Sequence, residues 1–312
     1  MKASYIEAFG SPDSIKTGEL DRPEPGEGEV LVRVQSAGVN PVDSAIVRGM
    51  LNDAIPSKFP LIPGWDAAGV VEACGYAARR FSEGDEVYGY VRRPFIQHGT
   101  FAEYIALPES YLARSPEELT LEEAGGVPLT GLTAWQSLFD AGNAQKGDII
   151  LILGASGGVG TFAIQFAKWK GARVIGVASR KNHDYLKELG ADDTVDYKEN
   201  HVGEAVEKIA STGVDMIFDC SRGESLEQSI NTLIKNGRLV SITNRDPDRR
   251  VDIRFEYVFV EPNARQLEQI SELADNGYIK APVTKTFRLE ETGQALQEVA
   301  SLHTRGKMVI TP

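Results

Sequence analysis

The chain has 312 residues, with 45 acidic against 33 basic side chains, a formal net charge of −12, and 42% hydrophobic and 25% charged residues. That is ordinary globular composition with ample material for buried cores, in one large or two modest domains. The acidic balance argues against a nucleic-acid surface, because the basic pieces, Arg79-Arg80, Arg92-Arg93 and Arg249-Arg250, are doublets rather than a patch. The two cysteines, Cys74 and Cys220, are far apart and outside any C-x-x-C spacing, which excludes a disulfide framework and a cysteine-rich zinc site. The opening residues Met1–Glu7 lack the long apolar stretch of a signal peptide, so a reducing, cytoplasmic setting is expected.

Residues 1–121 read as strands and turns. Val30, Val32 and Val34 alternate with Leu31, Arg33 and Gln35, and further strands are expected near Ala67–Ala73, Asp85–Val91 and Phe101–Ala106. Proline and glycine punctuate densely, as in Pro23-Glu24-Pro25-Gly26-Glu27-Gly28, which predicts a compact, irregular β domain. From 122 to 261 the pattern alternates between strand and helix. Strands are predicted at Ile149–Leu153, Ala172–Ala178, Val214–Asp219 and Gly237–Thr243. Helices are predicted after Gly157, through Leu186 and Leu189, near Val202–Ala210 and near Leu226–Ile234. The strands are apolar along their length, as expected when both faces are buried, so the fold class is α/β with a doubly wound parallel sheet. From 262 a helix (Pro262–Asn276), a strand (Val283–Phe287), a helix (Glu291–Leu302) and a last strand (Lys307–Thr311) return to complete the first domain. The expected domains are 1–121 with 262–312, and 122–261.

The run Ile149–Gly160 proposes a ligand. Five branched apolar residues lead into Gly154-Ala155-Ser156-Gly157-Gly158-Val159-Gly160, and a helix follows. A helix N-terminus carries unpaired N–H groups and partial positive charge, so it attracts an anion. At Gly157 the backbone can approach a pyrophosphate, and Gly160 lets the helix lie close on the strand. Against the fingerprint G-x-G-x-x-G, the first glycine position holds Ala155. No charge occurs from Ile149 to Ala167, which is also the hydropathy of a membrane helix, but the clustered glycines favour strand, turn and helix. An NAD site usually places an acid about 20 residues past the glycines to bond the ribose hydroxyl. Here the window reads Ser179-Arg180-Lys181-Asn182, with no acid before Asp184. A guanidinium pairs with a 2′-phosphate that a carboxylate would repel, which predicts NADP(H). The other reading of Arg180 and Lys181 is ordinary surface cations leading into a helix. Asn182 reads as the N-cap of that helix and His183 as an exposed first-turn residue. Ligands of such sheets sit at the strand carboxyl ends, which adds Cys220-Ser221 and Thr243-Asn244 to the crevice.

Further motifs run along nearly the whole chain: Ala37-Gly-Val-Asn-Pro-Val-Asp43, Ile62-Pro-Gly-Trp-Asp-Ala-Ala-Gly69, Gly84-Asp-Glu-Val-Tyr-Gly89, Gly99-Thr-Phe-Ala-Glu-Tyr104 and Leu129-Thr-Gly-Leu-Thr-Ala-Trp135. With the glycine run, their order and spacing resemble the medium-chain dehydrogenase/reductase family, in its zinc-independent quinone oxidoreductase branch. The resemblance implies a GroES-like β domain beside a Rossmann domain. Where the zinc-dependent branch carries Cys in the first motif this chain has Asn40, and where it carries His in the second it has Trp65. Asp66 alone cannot hold the metal, so no metal is expected.

The resemblance implies hydride transfer from NADPH to a quinone or an α,β-unsaturated carbonyl, with hydrogen bonds stabilising the developing oxyanion. The alternative is an NADPH-binding redox sensor or regulatory protein with little catalysis. By its place in the family motif, Asn40 would face the nicotinamide and donate to the substrate oxygen; it also reads as a turn residue before Pro41. Asp43 is a second catalytic candidate or a structural helix cap. Thr130 would touch the nicotinamide side of the cofactor or cap a helix. Tyr197 would stack near the adenosine phosphate or simply pack, and Trp65 would wall the substrate pocket or fill the β core. Tyr88, Tyr90 and His98 are candidate proton donors with bland alternatives, and solvent can serve instead. In the resembled family a strand at Phe255–Val260 pairs across a twofold axis, which implies a homodimer. No membrane partner is expected.

Overall fold

The computed structural model describes residues 1–249, 251–302 and 304–312, so Arg250 of the third basic doublet lies outside the described residues. The chain forms two compact units, Met1–Leu132 with Glu261–Pro312, and Thr133–Val260.

The first unit is the irregular β domain. Its strands are β1 (Lys2–Tyr5), β2 (Lys16–Glu19), β3 (Glu29–Val39), β4 (Ser57–Ile62), β5 (Asp66–Cys74), β6 (Glu86–Tyr90), β7 (Ile96–His98), β8 (Tyr104–Pro108) and β9 (Leu112–Arg114). Helix α1 (Pro41–Val47) follows β3, and α2 (Leu121–Ala124) and α3 (Pro128–Trp135) follow β9. β3 is the spine: it pairs antiparallel with β5 and β8, and its register shifts twice along β5. Thr120 and Glu123 form a reciprocal capping box at α2, with Thr120 N–H to Glu123 Oε2 at 2.9 Å and Glu123 N–H to Thr120 Oγ1 at 3.2 Å.

The second unit carries six strands: β10 (Ile149–Leu153), β11 (Arg173–Val177), β12 (Asp193–Val195), β13 (Val214–Asp219), β14 (Leu233–Ser241) and β15 (Arg254–Tyr257). Between them run α4 (Gly158–Lys170), α5 (His183–Glu188), α6 (Val202–Ile209) and α7 (Ser225–Ser229). The strands lie in the order β12-β11-β10-β13-β14-β15, all parallel. This is the Rossmann order, with its reversal between β10 and β13. Leu151, Leu153, Ile175, Val177, Val214 and Ile217 fill the core on one face with Val202 and Val206 of α6. The uncharged run Ile149–Ala167 is therefore strand, turn and helix, and no helix among the described residues is long and apolar enough to cross a membrane. The helix expected over Leu226–Ile234 stops early: Ser229 Oγ donates to Ser225 O at 2.7 Å, Thr232 Oγ1 donates to Ser229 O at 2.7 Å, and the chain is already extended at Leu233.

The chain then re-enters the first unit through α8 (Ala264–Asp275), β16 (Val283–Arg288), α9 (Thr292–Ala300) and β17 (Lys307–Thr311). β17 pairs antiparallel with the end of β3, Met308 opposite Val39. The unit boundary falls after Leu132 rather than at 121. The cause is local: Ser36 Oγ of β3 donates to Glu122 O at 3.1 Å, and Leu129 N–H donates to Asp66 Oδ1 at 2.6 Å. These bonds tie α2 and the start of α3 to the β unit, so Thr130 belongs there and not to the Rossmann unit.

Candidate functional site

The glycine turn is built by contact. Gly154 has φ +73°, a conformation that favours glycine, and a Cβ on it would meet Cys220 O at 3.0 Å. A Cβ on Gly160 would meet Ala155 Cα, Ala155 O and Gly154 O, each at 2.6 Å, so α4 can lie against the turn only because this residue is glycine. A Cβ on Gly157 would meet nothing nearer than Gly154 O at 3.4 Å. No protein packing therefore demands glycine at 157, and the open side is where an anion can approach. Ala155 is fully buried, whereas Ser156, Gly157, Gly158 and Val159 are half-buried at the start of α4. The N–H groups of that first turn precede any carbonyl of the helix that could accept them.

The basic turn lies at the end of β11. Ser179 is buried, and Arg180 and Lys181 are exposed, with no hydrogen bond or ion pair to either side chain among the described residues. Asn182 does not cap α5 with its side chain; Nδ2 instead donates to Ser156 Oγ at 3.0 Å, linking the basic turn to the glycine turn. His183 is buried rather than exposed, with Nδ1 3.0 Å from Thr194 Oγ1 and Nε2 3.3 Å from Ala178 O. Asp196, beyond β12, was not foreseen. Its Oδ2 accepts Arg180 N–H at 3.0 Å and its Oδ1 accepts Lys198 N–H at 2.8 Å. Asp196 is thus engaged on both oxygens by backbone donors. Tyr197 is exposed next to it.

At the ends of β13 and β14, Cys220 is half-buried and Thr243 exposed. Burial, reinforced by Asp219, pushes the Cys220 thiol well up, which removes it as a nucleophile. Asp219, another unforeseen residue, accepts hydrogen bonds from Ser221, Ser241 and Thr243. One signal for both acids existed: each closes or directly follows a short strand of the parallel sheet.

In the β unit, Asn40, Asp43, Asp66 and Lys307 form one buried polar cluster. Lys307 Nζ donates to Asn40 Oδ1 at 2.6 Å and to Val39 O at 3.1 Å, and lies 3.8 Å from Asp66 Oδ2. Asn40 Nδ2 donates to Asp66 Oδ2 at 2.8 Å and to Gly38 O at 3.3 Å. Both amide hydrogens and the amide oxygen of Asn40 are therefore spent inside the cluster. The expectation that Asn40 offers a donor to a substrate oxygen does not match this arrangement, because the buried Asp66–Lys307 pair takes the amide as its bridge. Asp43 sits at the third position of α1, not at the cap, and its Oδ2 accepts Asn40 N–H at 2.8 Å while Oδ1 has no hydrogen-bond partner among the described residues. Burial pushes the Asp43 carboxyl up to about 8, against the pull of the Asn40 N–H and with a push from Asp66. Asp66 is pushed up to about 6 by burial, opposed by Lys307, Asn40 and Leu129, while burial lowers Lys307. Asp66 accepts two N–H donors besides its ion pair and is the carboxylate of the group.

Of the remaining candidates, Trp65, Tyr88, Tyr90 and Thr130 are buried, whereas His98 is exposed. Trp65 is buried edge-on against Tyr90, with ring centroids 5.9 Å apart. Tyr88 donates to Leu267 O at 2.6 Å, burial raises both Tyr88 and Tyr90, and the Tyr90 hydroxyl has no partner among the described residues. Burial lowers His98. Thr130 donates to Gly126 O, in the turn before α3, at 3.1 Å. The positions that carry zinc ligands in the resembled family do not make a zinc set here: an indole has no donor lone pair, the Asn40 oxygen lies on an ammonium, and both Asp66 oxygens are engaged.

Comparisons with known proteins agree with both units. Residues 26–117 match the alcohol dehydrogenase GroES-like domain, and residues 189–310 match the zinc-binding dehydrogenase domain. The chain is 30% identical to a chloroplastic quinone oxidoreductase of Triphysaria versicolor, over 100% of this chain and 98% of the relative. It is 32% identical to a mitochondrial NAD(P)H oxidoreductase of Mus musculus, over 90% of this chain and 81% of that protein. Among solved structures, an NAD-dependent alcohol dehydrogenase superposes with a TM-score of 0.92 at 29% identity, each chain covered in full. The quinone oxidoreductase of Coxiella burnetii does so at 0.87 and 29% identity, over 100% of this chain and 99% of that one. With a glycine turn able to cradle a pyrophosphate and quinone oxidoreductases among its full-length relatives, this chain belongs to the medium-chain dehydrogenase/reductase family and is an NAD(P)H-dependent oxidoreductase.

Proposed function

We propose that the protein is a metal-free, NADPH-dependent reductase of quinones or α,β-unsaturated carbonyls. The observation that carries this reading is the basic turn: the side chains of Arg180 and Lys181 have no partner among the described residues, and Asp196, the acid bonded to that turn, has both oxygens on backbone N–H groups. A 2′-phosphate would meet two cations there, while the carboxylate bonded to the turn is already engaged. Ser156–Val159 would hold the pyrophosphate on the first turn of α4, with Asn182 fixing Ser156 from behind. When bound, NADPH supplies a hydride. No group in the buried cluster is arranged as a Lewis acid, so a carbonyl conjugated to an electron-poor carbon suits the site better than an alcohol. The proton that completes the reduction comes from solvent, because the Tyr88 and Tyr90 phenols are buried and shifted away from donation. We further propose a homodimer paired through the sheet-edge strand β15.

The test is NADPH oxidation followed at its absorbance band against a panel of quinones and enones, with Arg180→Ala as the cofactor control. Turnover with at least one acceptor is expected, with NADPH affinity falling about ten- to a hundredfold in the variant while NADH affinity holds. Tight NADPH binding without turnover on any acceptor would refute the enzyme. Equal losses for both dinucleotides, or none, would refute the phosphate clamp.

A further inference from the structure

We propose that Asp219 is a positioning residue: its buried carboxylate sets the two loops that shape the nicotinamide-side wall of the cofactor site. The inference rests on the nucleotide reading above and adds a residue to it. Arg180 and Lys181 assign the adenosine end to the β11–β12 side of the glycine turn. A dinucleotide crosses the sheet at the reversal of strand order, so its other half lies over β13 and β14. The wall on that side is made by residues 220–223, after β13, and 242–245, after β14.

Both loops hang on one carboxylate. Asp219 is 1% exposed. Its Oδ1 accepts Ser221 N–H at 3.1 Å and Ser221 Oγ at 3.0 Å. Its Oδ2 accepts Ser241 Oγ at 2.7 Å and faces Thr243 Oγ1 at 3.0 Å. Thr243 Oγ1 also lies 2.6 Å from Ser221 O, so its single hydrogen is shared between the loops. Ser241 Oγ in turn accepts Thr243 N–H at 3.2 Å and Asn244 N–H at 2.9 Å. No basic side chain bonds Asp219 among the described residues, and hydroxyls and one N–H carry the whole compensation of a buried charge. The same loop abuts the pyrophosphate turn, since Cys220 O stands 3.0 Å from where a Gly154 Cβ would be and Cys220 N–H donates to Leu153 O at 3.1 Å. A shift of residues 220–223 is therefore felt on both the glycine turn and the Thr243 loop.

Asparagine at 219 has one acceptor oxygen and one donating nitrogen. Ser221 N–H cannot reverse, so the amide nitrogen must face Ser241 and Thr243 and turn their hydroxyls round. The experiment titrates wild type, Asp219→Asn, Ser241→Ala and Ser241→Thr with NADPH and with adenosine 2′,5′-bisphosphate, and records Tm. In Asp219→Asn the NADPH Kd is expected to rise about tenfold, with bisphosphate affinity unchanged. Ser241→Ala shifts NADPH affinity the same way, and Ser241→Thr, which keeps the hydroxyl, restores it. NADPH binding by Asp219→Asn that equals wild type, or parallel loss of both ligands, overturns the inference while leaving the nucleotide reading intact. Should Asp219→Asn fail to fold, the Ser241 pair decides by the same criteria. A wild-type protein that binds no NADPH overturns both.

Discussion

Replacing Lys307 with Met tests whether the buried cluster is held by its cation. Met keeps most of the side-chain length and removes the ammonium. Asn40 Oδ1 and Val39 O, bonded at 2.6 and 3.1 Å, lose their donor, and a buried orphaned acceptor costs about 1–3 kcal/mol. Asp66 loses its counter-ion at 3.8 Å but can escape by taking a proton, since its carboxyl already titrates at about 6. At pH 7 that escape caps the added electrostatic cost at about 1.4 kcal/mol, one pH unit of protonation. The sum is about 3–7 kcal/mol, overlapping the range for breaking a buried pair by removing one partner. At roughly 2–4 °C per kcal/mol for a unit of this size, Tm falls by about 10 °C. The pH dependence has a definite sign. A carboxyl raised above its unfolded value keeps its proton to a higher pH in the folded state, so its contribution is present at low pH and is lost as pH rises through the folded value. Thermal unfolding followed by circular dichroism should therefore show a deficit that is smaller at pH 5 than at pH 8, and adding Asp66→Asn should recover part of it. A Lys307→Met protein within about 1 kcal/mol of wild type at pH 8, or a deficit independent of pH, would refute the reasoning.

Other perturbations probe the same cluster and the glycine turn. Asp43, raised to about 8, binds a proton in the folded state between its unfolded and folded values, so its contribution to stability declines as pH rises through that window. Asp43→Asn keeps an acceptor for Asn40 N–H, and its urea midpoint should match wild type near pH 4 and exceed it increasingly toward pH 8, by up to about 1.4 kcal/mol per pH unit; a constant difference would count against the shift. Gly160→Ala drives a Cβ to 2.6 Å from three backbone atoms and should cost about 1–3 kcal/mol in urea unfolding. Gly157→Ala meets only Gly154 O at 3.4 Å, so its stability should move by less than about 1 kcal/mol while NADPH affinity falls. If the two glycines behave alike in both assays, their division of labour is wrong.

Much of the Rossmann unit was legible because its signals are local. Ile149–Leu153 enters the glycine turn as an apolar strand, and the cation-rich end of β11 follows one helix later. What stayed hidden depends on contacts distant in sequence. Lys307 looks like any surface lysine ahead of an apolar strand, yet it is 3% exposed because β17 lays it against Val39 and Asn40. Asn40 reads as a free donor until that lysine and Asp66 claim it. His183 and Asn182 sit where a helix start predicts exposure and capping, but Thr194 and Ser156 lie opposite and redirect both side chains. The domain boundary slipped for a similar reason: the Leu129–Asp66 bond joins α3 to a strand 63 residues earlier.

The path of the chain orders its own assembly. The Rossmann unit is one uninterrupted stretch, Thr133–Val260, whereas the β unit needs its last strand, β17, to sit beside β3. On a ribosome, the dinucleotide unit is complete in sequence while Asp66 still lacks its lysine, 241 residues downstream. Domains fold as units during synthesis. The earlier half of this protein must therefore wait, with Asp43 and Asp66 hydrated and ordinarily acidic, until Lys307 emerges. Closure of the β unit is then also the step that dries those two carboxyls.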